Sequence, residues 1–326
     1  MKEATPYAGR RVLVTGGTGF LGLNLVGALR AAGVDVRTLS RSAYSPSPSG
    51  GGQGGGVRHV QGDLRDRALV EKAIEGASVI FNLAGHSGST SSNLEPFEDL
   101  DVNLRGQLTL LEACRHLADP PTVVFPSSRL VYRPATQMPV PETWLTGPLS
   151  LYGVHKLAAE HYHLLYAHLY GLKVAILRIT NPYGFSPHPD EDRYSIINWF
   201  IHRAVNDHVL PVYGEGRQLR DYIHVGDVVR AFLLAGSDAR AAGRIFNVGS
   251  GSGVSFLTMA ETVIREAGGG RIEARPWPDE AARVETGDFV ADVARIEGAI
   301  GWRPATALES GLREVVRQYR QMENVR

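Results

Sequence analysis

The 326-residue sequence lacks three features that would each define a class of protein: paired cysteines, an excess of one charge and a long apolar run. Its one cysteine, Cys114, excludes an internal disulfide and a cysteine-based metal cluster, and no metal site is expected. Basic and acidic residues both total 34, so nothing favours nucleic acid or a membrane surface as a partner. No apolar run reaches the roughly 18 residues of a membrane span. With no apolar signal segment before the first predicted strand, we expect a cytoplasmic protein.

Short apolar runs alternate with helical patterns through the first half of the chain. The predicted strands occupy residues 11–16, 34–40, 57–63, 78–85, 121–128 and 173–180. Nearly continuous apolar strands that alternate with helices are typical of parallel sheets covered on both faces. The pattern therefore predicts an α/β fold with a doubly wound parallel sheet.

The first predicted strand leads directly into a glycine-rich segment, GGTGFLG, at residues 16–22. Gly16, Gly19 and Gly22 have the spacing G-x-x-G-x-x-G, and a helical pattern begins at Phe20 and Leu21. Glycines permit a tight turn and a close approach of the backbone to a pyrophosphate, which the helix N-terminus can bind. Because a strand precedes the motif and a helix follows it, the segment predicts a dinucleotide site.

The end of the second predicted strand bears on the choice between NAD and NADP. A carboxylate there binds the ribose 2′-hydroxyl, whereas an arginine accommodates a 2′-phosphate. The strand ends in Ser40 and Arg41, with no carboxylate, since Asp35 lies at its start. Arg41 and the Ser40 hydroxyl suit a phosphate, although Arg41 as a solvated loop residue is the alternative. The residues themselves therefore favour NADP mildly.

Two interleaved domains are expected. Residues 1–180 are predicted to form a Rossmann dinucleotide-binding domain, and residues 181–326 a smaller mixed α/β substrate-binding domain. RIFNVGS has the composition of another core strand of the first domain, which would return near 244–249. The Ser-, Pro- and Gly-rich stretch 42–57 predicts a flexible surface loop whose role stays open.

A tyrosine and a lysine four residues apart, Tyr152 and Lys156, are predicted to share one face of a helix. Ser128 ends the strand before it, at the sheet edge where such folds bind ligands. A nearby ammonium favours the tyrosine phenolate, which can take a proton from an alcohol as hydride leaves. The serine would hydrogen-bond the substrate oxygen. His155 is expected to point off the Tyr–Lys face, into packing or to the surface.

Together, GGTGFLG, NLAG, Ser128 four residues before Tyr132, YGVHK and RITNPYG resemble the extended short-chain dehydrogenase/reductase family. The most similar branch is the NAD(P)-dependent nucleotide-sugar epimerases and dehydratases, which includes UDP-glucose 4-epimerases. The likeness covers nearly the whole chain, through GRQLRDYIHVGDVVRA to GWRP near the end. It implies an enzyme that binds NAD or NADP and a nucleotide-diphosphate sugar.

The resemblance also implies roles for individual residues. Ser128, Tyr152 and Lys156 match the catalytic residues of the family, and the last two also contact its cofactor. The other implied cofactor-site residues are Asp63, which matches the residue that touches adenine, its neighbour Leu64, Leu83 and Ala84 on the nicotinamide-side strand, and Asn103, where the family keeps a structural asparagine. The candidate substrate contacts are Ser128, Asn181, Arg220, Arg283, and two residues that follow predicted strands, Ser87 and Arg129.

Two positions depart from the family pattern. Sugar 4,6-dehydratases of the family carry Asp-Glu directly after the catalytic threonine, whereas this sequence has Arg129 and Leu130. Neither side chain can act as the acid or base that eliminates water, so a dehydratase is disfavoured. Arg129 and Arg133 add positive charge that suits a substrate with a carboxylate or an extra phosphate, unless both face solvent at the pocket rim.

Three functions remain open. The leading hypothesis is a nucleotide-sugar epimerase that retains its cofactor and oxidises a sugar hydroxyl to a transient ketone. The alternative is an NADPH-dependent 4-keto-sugar nucleotide reductase, which Arg41 favours, whereas family frequency favours NAD and the epimerase. The third is a non-catalytic dinucleotide-binding sensor or scaffold, which the retention of Ser128, Tyr152 and Lys156 disfavours.

A homodimer is also predicted. The helical segments LRGQLTLLEACRHLA and KLAAEHYHLLYAHLYG have apolar residues on more than one face, so each needs a partner besides its own sheet. In the family, these two helices pair across a two-fold axis into a four-helix bundle.

Overall fold

A computed structural model describes residues 2–44, 56–186 and 195–323, so residues 45–55 of the predicted flexible loop lie outside the described residues. The strands are β1 (Arg11–Thr15), β2 (Asp35–Ser40), β3 (Val57–Gln61), β4 (Val79–Asn82), β5 (Thr122–Ser128), β6 (Val174–Ile179), β7 (Asn181–Tyr183), β8 (Val209–Tyr213), β9 (Leu219–His224), β10 (Arg244–Val248), β11 (Gly253–Ser255) and β12 (Arg271–Arg275). The helices are α1 (Phe20–Ala31), α2 (Arg67–Ile74), α3 (Ser89–Leu94), α4 (Pro96–Leu100), α5 (Gly106–Arg115), α6 (Leu151–Tyr170), α7 (Ile196–Val205), α8 (Val225–Ser237), α9 (Phe256–Ala267), α10 (Asp279–Arg283), α11 (Ala294–Ile300) and α12 (Leu308–Glu323).

A seven-stranded parallel sheet forms the centre of the molecule, in the order β10-β6-β5-β4-β1-β2-β3. All six strands expected in the first half of the chain are present in it. The order reverses between β1 and β4, which is the switch point where doubly wound sheets bind ligands. The predicted doubly wound parallel α/β fold is therefore confirmed.

The sheet is apolar on both faces because successive strand residues point to opposite sides. Val79 and Phe81 of β4 pack with Leu25 of α1 and Phe232 of α8. Ile80, between them, packs on the other face in a cluster with α2 and α5. Strands buried on both sides explain the continuous apolar runs in the sequence.

The second half of the chain contributes to more than one part of the fold. β10 pairs in parallel with β6 at the edge of the central sheet. A second hydrophobic cluster forms among α7, α9, α12 and β8, around Phe200, Leu210, Val263 and Val315. The same half of the chain also forms two small sheets, with the strand orders β11-β9-β7 and β12-β8. The division at residue 180 stays a prediction.

Helix α6 carries the tyrosine and lysine of the YGVHK segment. Ser150 caps it, because its Oγ accepts a hydrogen bond from the backbone N of Gly153 at 3.2 Å. The helix ends at Gly171, which adopts a left-handed conformation with φ of 70°. Among the helices of the described ranges, none combines the length and apolar character that crossing a membrane requires.

Candidate active site

The glycine motif forms the tight turn between β1 and α1. Gly16 has a φ of +65°, and a Cβ there would lie 2.9 Å from the backbone of Leu83 and Ala84. A Cβ on Gly22 would overlap the carbonyl oxygen of Gly16. Gly19 is the N-cap of α1, whose first turn has neither a side-chain cap nor an acidic residue. The first-turn amides are therefore uncapped in a backbone cradle that a side chain would fill, which fits a bound pyrophosphate.

Two arginines meet at Glu98 near the ends of β2 and β3. Arg41 is half-exposed, with its Nη2 2.9 Å from His86 Nε2 and its Nη1 3.4 Å from Glu98 Oε1. Arg65 donates to Glu98 and forms a bidentate pair with Asp63, at 2.8 and 2.9 Å. The hydrogen bond from Arg65 lowers the pKa of the Asp63 carboxyl. Asp63 is thus held as a carboxylate.

The other cofactor candidates lie around these groups. Ser40 is buried at the end of β2, and its Oγ donates to the backbone oxygen of Ser42 at 3.3 Å. Leu64 is buried in the hydrophobic cluster that includes α2 and α5, and Ala84 packs against the same cluster. Leu83 packs against the cluster on the opposite face of the central sheet. At Ala84, the backbone N donates to Thr15 Oγ1 at 3.0 Å, which fixes the chain after β4.

Asn103 holds the loop that follows β4. It lies in a π-helical turn, Asp101–Arg105, a rare geometry that is common at functional sites. Its Oδ1 accepts a hydrogen bond from the backbone N of His86 at 3.0 Å, and its Nδ2 donates to Asp99 Oδ2 at 3.0 Å. A Cβ on Gly85 would lie 2.7 Å from Asn103 Oδ1 and 3.8 Å from Lys156 Nζ. Asn103 and Lys156 therefore face the same glycine.

Ser128, Tyr152 and Lys156 come together at the carboxyl edge of the sheet. Ser128 ends β5 and hydrogen-bonds with Tyr152, on the first turn of α6. Lys156 Nζ donates to the backbone oxygen of Pro126 at 2.9 Å and lies 5.8 Å from the centre of the Tyr152 ring. Burial raises the pKa of Tyr152, as does Asp99, while the hydrogen bond with Ser128 lowers it.

The lysine is buried, and this changes its acidity. Burial lowers the pKa of Lys156 to about 8, and the charges of Asp99 and Glu160 oppose that shift. The ring of Phe125 lies 4.7 Å from its Nζ. The ammonium thus depends on a few fixed neighbours instead of on water.

A polar cluster lies beside the end of β5. Arg129 Nε is 3.4 Å from Asn181 Oδ1, and its Nη1 donates to Thr286 Oγ1 at 2.8 Å. Arg220 donates to the backbone oxygen of Gly287 at 2.6 Å and pairs with Glu285. Burial, and to a smaller extent the charge of Arg220, lowers the pKa of Arg129 to about 9.

Three other candidate positions are Arg133, Arg283 and Ser87. Arg133 is exposed, whereas Arg129 of the polar cluster is half-buried and not at an exposed rim. Arg283 is exposed at the end of the short helix α10. Ser87 lies in the loop before α3, where its backbone oxygen accepts a hydrogen bond from Ser91 Oγ at 3.3 Å.

Sequence reasoning missed three residues of α3 and α4 that hold the start of α6. Ser92 Oγ and Asn93 Oδ1 accept hydrogen bonds from the backbone N of Tyr152 and Leu151, both at 3.0 Å. Asp99 is buried, with its Oδ1 2.5 Å from His155 Nδ1. His155 does point into packing, as expected. No spacing rule links residues 92–99 to residue 155, so only the fold could reveal these contacts.

The chain is similar to known proteins over most of its length. The NAD dependent epimerase/dehydratase family matches residues 12–249. The chain is 30% identical over 322 residues to dTDP-glucose 4,6-dehydratase of Streptomyces niveus, covering 95% of this chain and 93% of that protein. Epimerase Mth375 of Methanothermobacter thermautotrophicus superimposes with a TM-score of 0.91 at 27% identity, covering 100% and 96% of the two chains. Thermus thermophilus UDP-glucose 4-epimerase, in complex with NAD, gives 0.83 at 32% identity, covering 95% and 99%.

The glycine turn generates a stability prediction. Gly22→Ala places a Cβ against the carbonyl of Gly16, so it should lower the free energy of unfolding by about 1–3 kcal/mol. Gly27→Ala is the matched control, because a Cβ at that α1 position meets nothing within 4 Å. Alanine there should raise stability by up to about 1 kcal/mol. Urea unfolding measures both, and equal effects would contradict the tight turn.

Proposed function

Because this chain belongs to the NAD dependent epimerase/dehydratase family, we propose that it is a nucleotide-sugar epimerase. It would oxidise a sugar hydroxyl to a transient ketone and reduce that ketone again from its other face. The observation that carries the proposal is the meeting of Ser128, Tyr152 and Lys156 at the sheet edge beside the glycine turn. Arg129 and Leu130, in place of an acid and a base, disfavour the dehydratase reaction.

We propose that the dinucleotide is held by the glycine turn and by the residues around the ends of β2, β3 and β4. When bound, a nicotinamide dinucleotide accepts hydride from the sugar and returns it. The uncapped amides of α1 suit its pyrophosphate. The side chains proposed to surround it are Phe20, Leu21, Ser40, Arg41, Asp63, Leu64, Leu83, Ala84, Asn103, Tyr152 and Lys156.

The chemical roles follow from the contacts of the three residues. Tyr152 is the group that takes the proton from the sugar hydroxyl and later returns it. Lys156 stabilises the phenolate by its positive charge, since it lies on the same helical face one turn later. Ser128 hydrogen-bonds the phenol and is placed to bind the same substrate oxygen.

We propose that the sugar diphosphate binds along Arg129, Asn181 and Arg220. Two guanidinium groups, those of Arg129 and Arg220, lie there beside the carboxyl groups of Glu285 and Asp221 and can donate hydrogen bonds to an anionic ligand. Ser87 and Arg283 are proposed as outer contacts. The UDP-glucose 4-epimerase and dTDP-glucose 4,6-dehydratase relatives support a nucleotide sugar as the substrate class. A cytoplasmic location stays a prediction.

A second candidate is the NADPH-dependent 4-keto-sugar nucleotide reductase. Two observations favour it: β2 ends without a carboxylate, and Arg41 is half-exposed beside the β4 loop. A non-catalytic sensor or scaffold is the third, which the assembled Ser128, Tyr152 and Lys156 disfavour.

Release of the bound dinucleotide tests the proposal against both alternatives. The purified protein is denatured, and the released nucleotide is identified by mass spectrometry and quantified against protein. An epimerase that retains its cofactor should release close to one dinucleotide per chain. Protein that releases none and consumes added NADPH stoichiometrically would instead be a reductase.

We expect Tyr152→Phe to abolish turnover while dinucleotide binding stays intact. The ring remains and only the proton-transferring hydroxyl is lost, so the rate should fall by about 100-fold or more. Lys156→Met should impair both turnover and dinucleotide binding. Tyr162→Phe, on the same helix but in the cluster beneath the sheet, is the control and should keep full activity. A Tyr152→Phe variant with over about a tenth of the rate would refute proton transfer by Tyr152.

Arg41→Ala is expected to reveal which dinucleotide the pocket prefers. A guanidinium paired with a 2′-phosphate contributes roughly 1.5–3 kcal/mol, so NADP should bind about 10- to 150-fold more weakly and NAD nearly unchanged. Arg58→Ala, which removes an exposed arginine from neighbouring β3, is the charge control. Titration of both dinucleotides settles the point, since equal wild-type affinities would exclude the phosphate role.

We propose that the protein is a homodimer with α6 in the interface, as the sequence predicts. Exposed apolar side chains extend this surface to α3 and α4, whereas α5, the other predicted helix, has no large exposed apolar side chain among its described residues. Large apolar side chains are exposed on α3, α4 and α6, with Phe97 at 81%, accompanied by Leu94, Val154, Leu165 and Leu169. Light scattering should give twice the 35.4 kDa chain mass at micromolar concentration. Phe97→Asp should shift the protein to a monomer, whereas Leu145→Asp, at an exposed apolar position outside these helices, should not. A wild-type monomer would refute the proposal.

A further inference from the structure

Asp99 is a buried carboxylate without an assigned role, one side chain away from the proposed catalytic residues. Only 3% of it is exposed. Its Oδ1 lies 2.5 Å from His155 Nδ1, and its Oδ2 accepts a hydrogen bond from Asn103 Nδ2 at 3.0 Å. A carboxylate removed from water needs such partners, because an unpaired one would be strongly destabilising. The two contacts fix its position on α4 against the first turns of α6.

His155 connects Asp99 to the catalytic helix. It is buried on α6 and directly precedes Lys156 in sequence. The Asp99–His155 contact therefore ties α4 to the part of α6 that carries Tyr152 and Lys156. Asn103, on the other side of Asp99, faces Lys156 across Gly85. Asp99 thus lies between two residues that both adjoin the lysine.

Two carboxylates, Asp99 and Glu160, act on the buried Lys156 ammonium. Glu160, one turn further along α6, is already paired with Arg178 of β6 through hydrogen bonds at 2.6 and 2.9 Å. Lys156 itself donates to a neutral acceptor, the Pro126 oxygen. Asp99 is therefore the carboxylate left to balance Lys156. Asp99 of α4 and Glu160 of α6 act on Lys156 by charge, and Tyr152 and His163 of α6 also lie near it. His155 of α6 and Arg178 of β6 are the partners of those two carboxylates.

We propose that Asp99 is a positioning residue of the active site: its carboxylate, held by His155 and Asn103, is the counter-charge that keeps the Lys156 ammonium protonated in the buried site. The inference rests on the proposed role of Lys156 and deepens it. The same carboxylate raises the pKa of Tyr152 and so opposes the phenolate, which leaves the Lys156 ammonium that it sustains as the group that favours proton loss from Tyr152.

The sign of the expected effect follows from the charge. A carboxylate favours the ammonium form of a neighbouring lysine, so its removal lowers the pKa of that lysine. Burial already holds the pKa of Lys156 at about 8. Asp99→Asn keeps the size and polarity of the side chain but removes its charge. We therefore expect Lys156 to lose its proton at a pH lower by about one unit or more.

The composition of the chain makes this titration directly measurable. The sequence contains four lysines, Lys2, Lys72, Lys156 and Lys173. Protein labelled with 13C at the lysine ε carbon should give four resolved signals, and the Lys156 signal is assigned by its loss in Lys156→Arg. The titration is followed by NMR on the full chain without substrate. Its outcome does not depend on turnover, so failure of this inference and failure of the proposed function are distinguishable.

Two control variants separate charge from packing. Asp101→Asn removes a carboxylate two residues away whose side chain is 41% exposed and pairs with Arg65 and Arg105. His155→Gln disturbs the same buried contact but leaves the Asp99 charge in place. Both should leave the Lys156 titration within a few tenths of a unit of wild type. If Asp99→Asn does not fold, as judged by circular dichroism, Asp99→Ser carries the same expectation.

The Lys156 titrations of these variants distinguish a charge effect from a packing effect. A lower pKa for Lys156 in the neutral Asp99 variants, with Asp101→Asn and His155→Gln near wild type, supports the counter-charge. An unchanged Lys156 titration in the Asp99 variants overturns it. An equal shift in His155→Gln also overturns it, because the effect would then come from packing and not from charge.

Discussion

The candidate site depends on keeping one ammonium group charged where little water reaches it. Lys156 is buried against Phe125 and donates to a backbone oxygen, and burial alone would favour its neutral form. Two carboxylates on fixed elements oppose this effect of burial: Asp99 on α4, and Glu160 on α6, which is paired with Arg178. Because opposite charges interact more strongly away from water, small displacements of these groups would change the protonation of Tyr152 and Lys156 together. The site therefore requires α4 and α6 to keep a fixed position relative to each other.

The rest of the fold fixes the position of α6 and forms the remainder of the candidate site, which consists of the glycine turn and the β4 loop. Parallel strands bring the end of β1, the β4 loop and Ser128 to one edge of the sheet. The glycine turn allows the backbone of β1 and α1 to approach the β4 loop, and Asn103 holds that loop from the other side. Caps from Ser92, Asn93 and Ser150 fix the first turn of α6. The outer face of the same α3–α4 segment carries exposed Phe97, so the proposed dimer contact adjoins the segment that positions the first turn of α6.

Much of this arrangement could be predicted from the sequence, because local patterns determine it. Continuous apolar runs predicted the six strands, and the glycine spacing predicted the turn that precedes α1. The spacing of Tyr152 and Lys156 placed them on one helical face. The contacts made by Asp99 could not be predicted, since they join residues 56 positions apart through tertiary packing alone. The same holds for Arg129, whose half-buried contact with Thr286 spans 157 positions. Sequence patterns indicate which face of an element is buried, but not which distant polar group it meets there.

The central claim is that the chain inverts a sugar carbon without net oxidation or reduction. It is tested most directly by incubating the purified protein, with no dinucleotide added, with UDP-, dTDP- and CDP-hexoses in turn. NMR follows the sugar, and absorbance near 340 nm follows the nicotinamide. The account predicts that one of these sugars is converted to its epimer over many turnovers while the absorbance returns to its starting value. Sugar oxidation that occurs only when NAD or NADP is added, and that leaves one reduced dinucleotide per sugar with a lasting rise in absorbance, would contradict it.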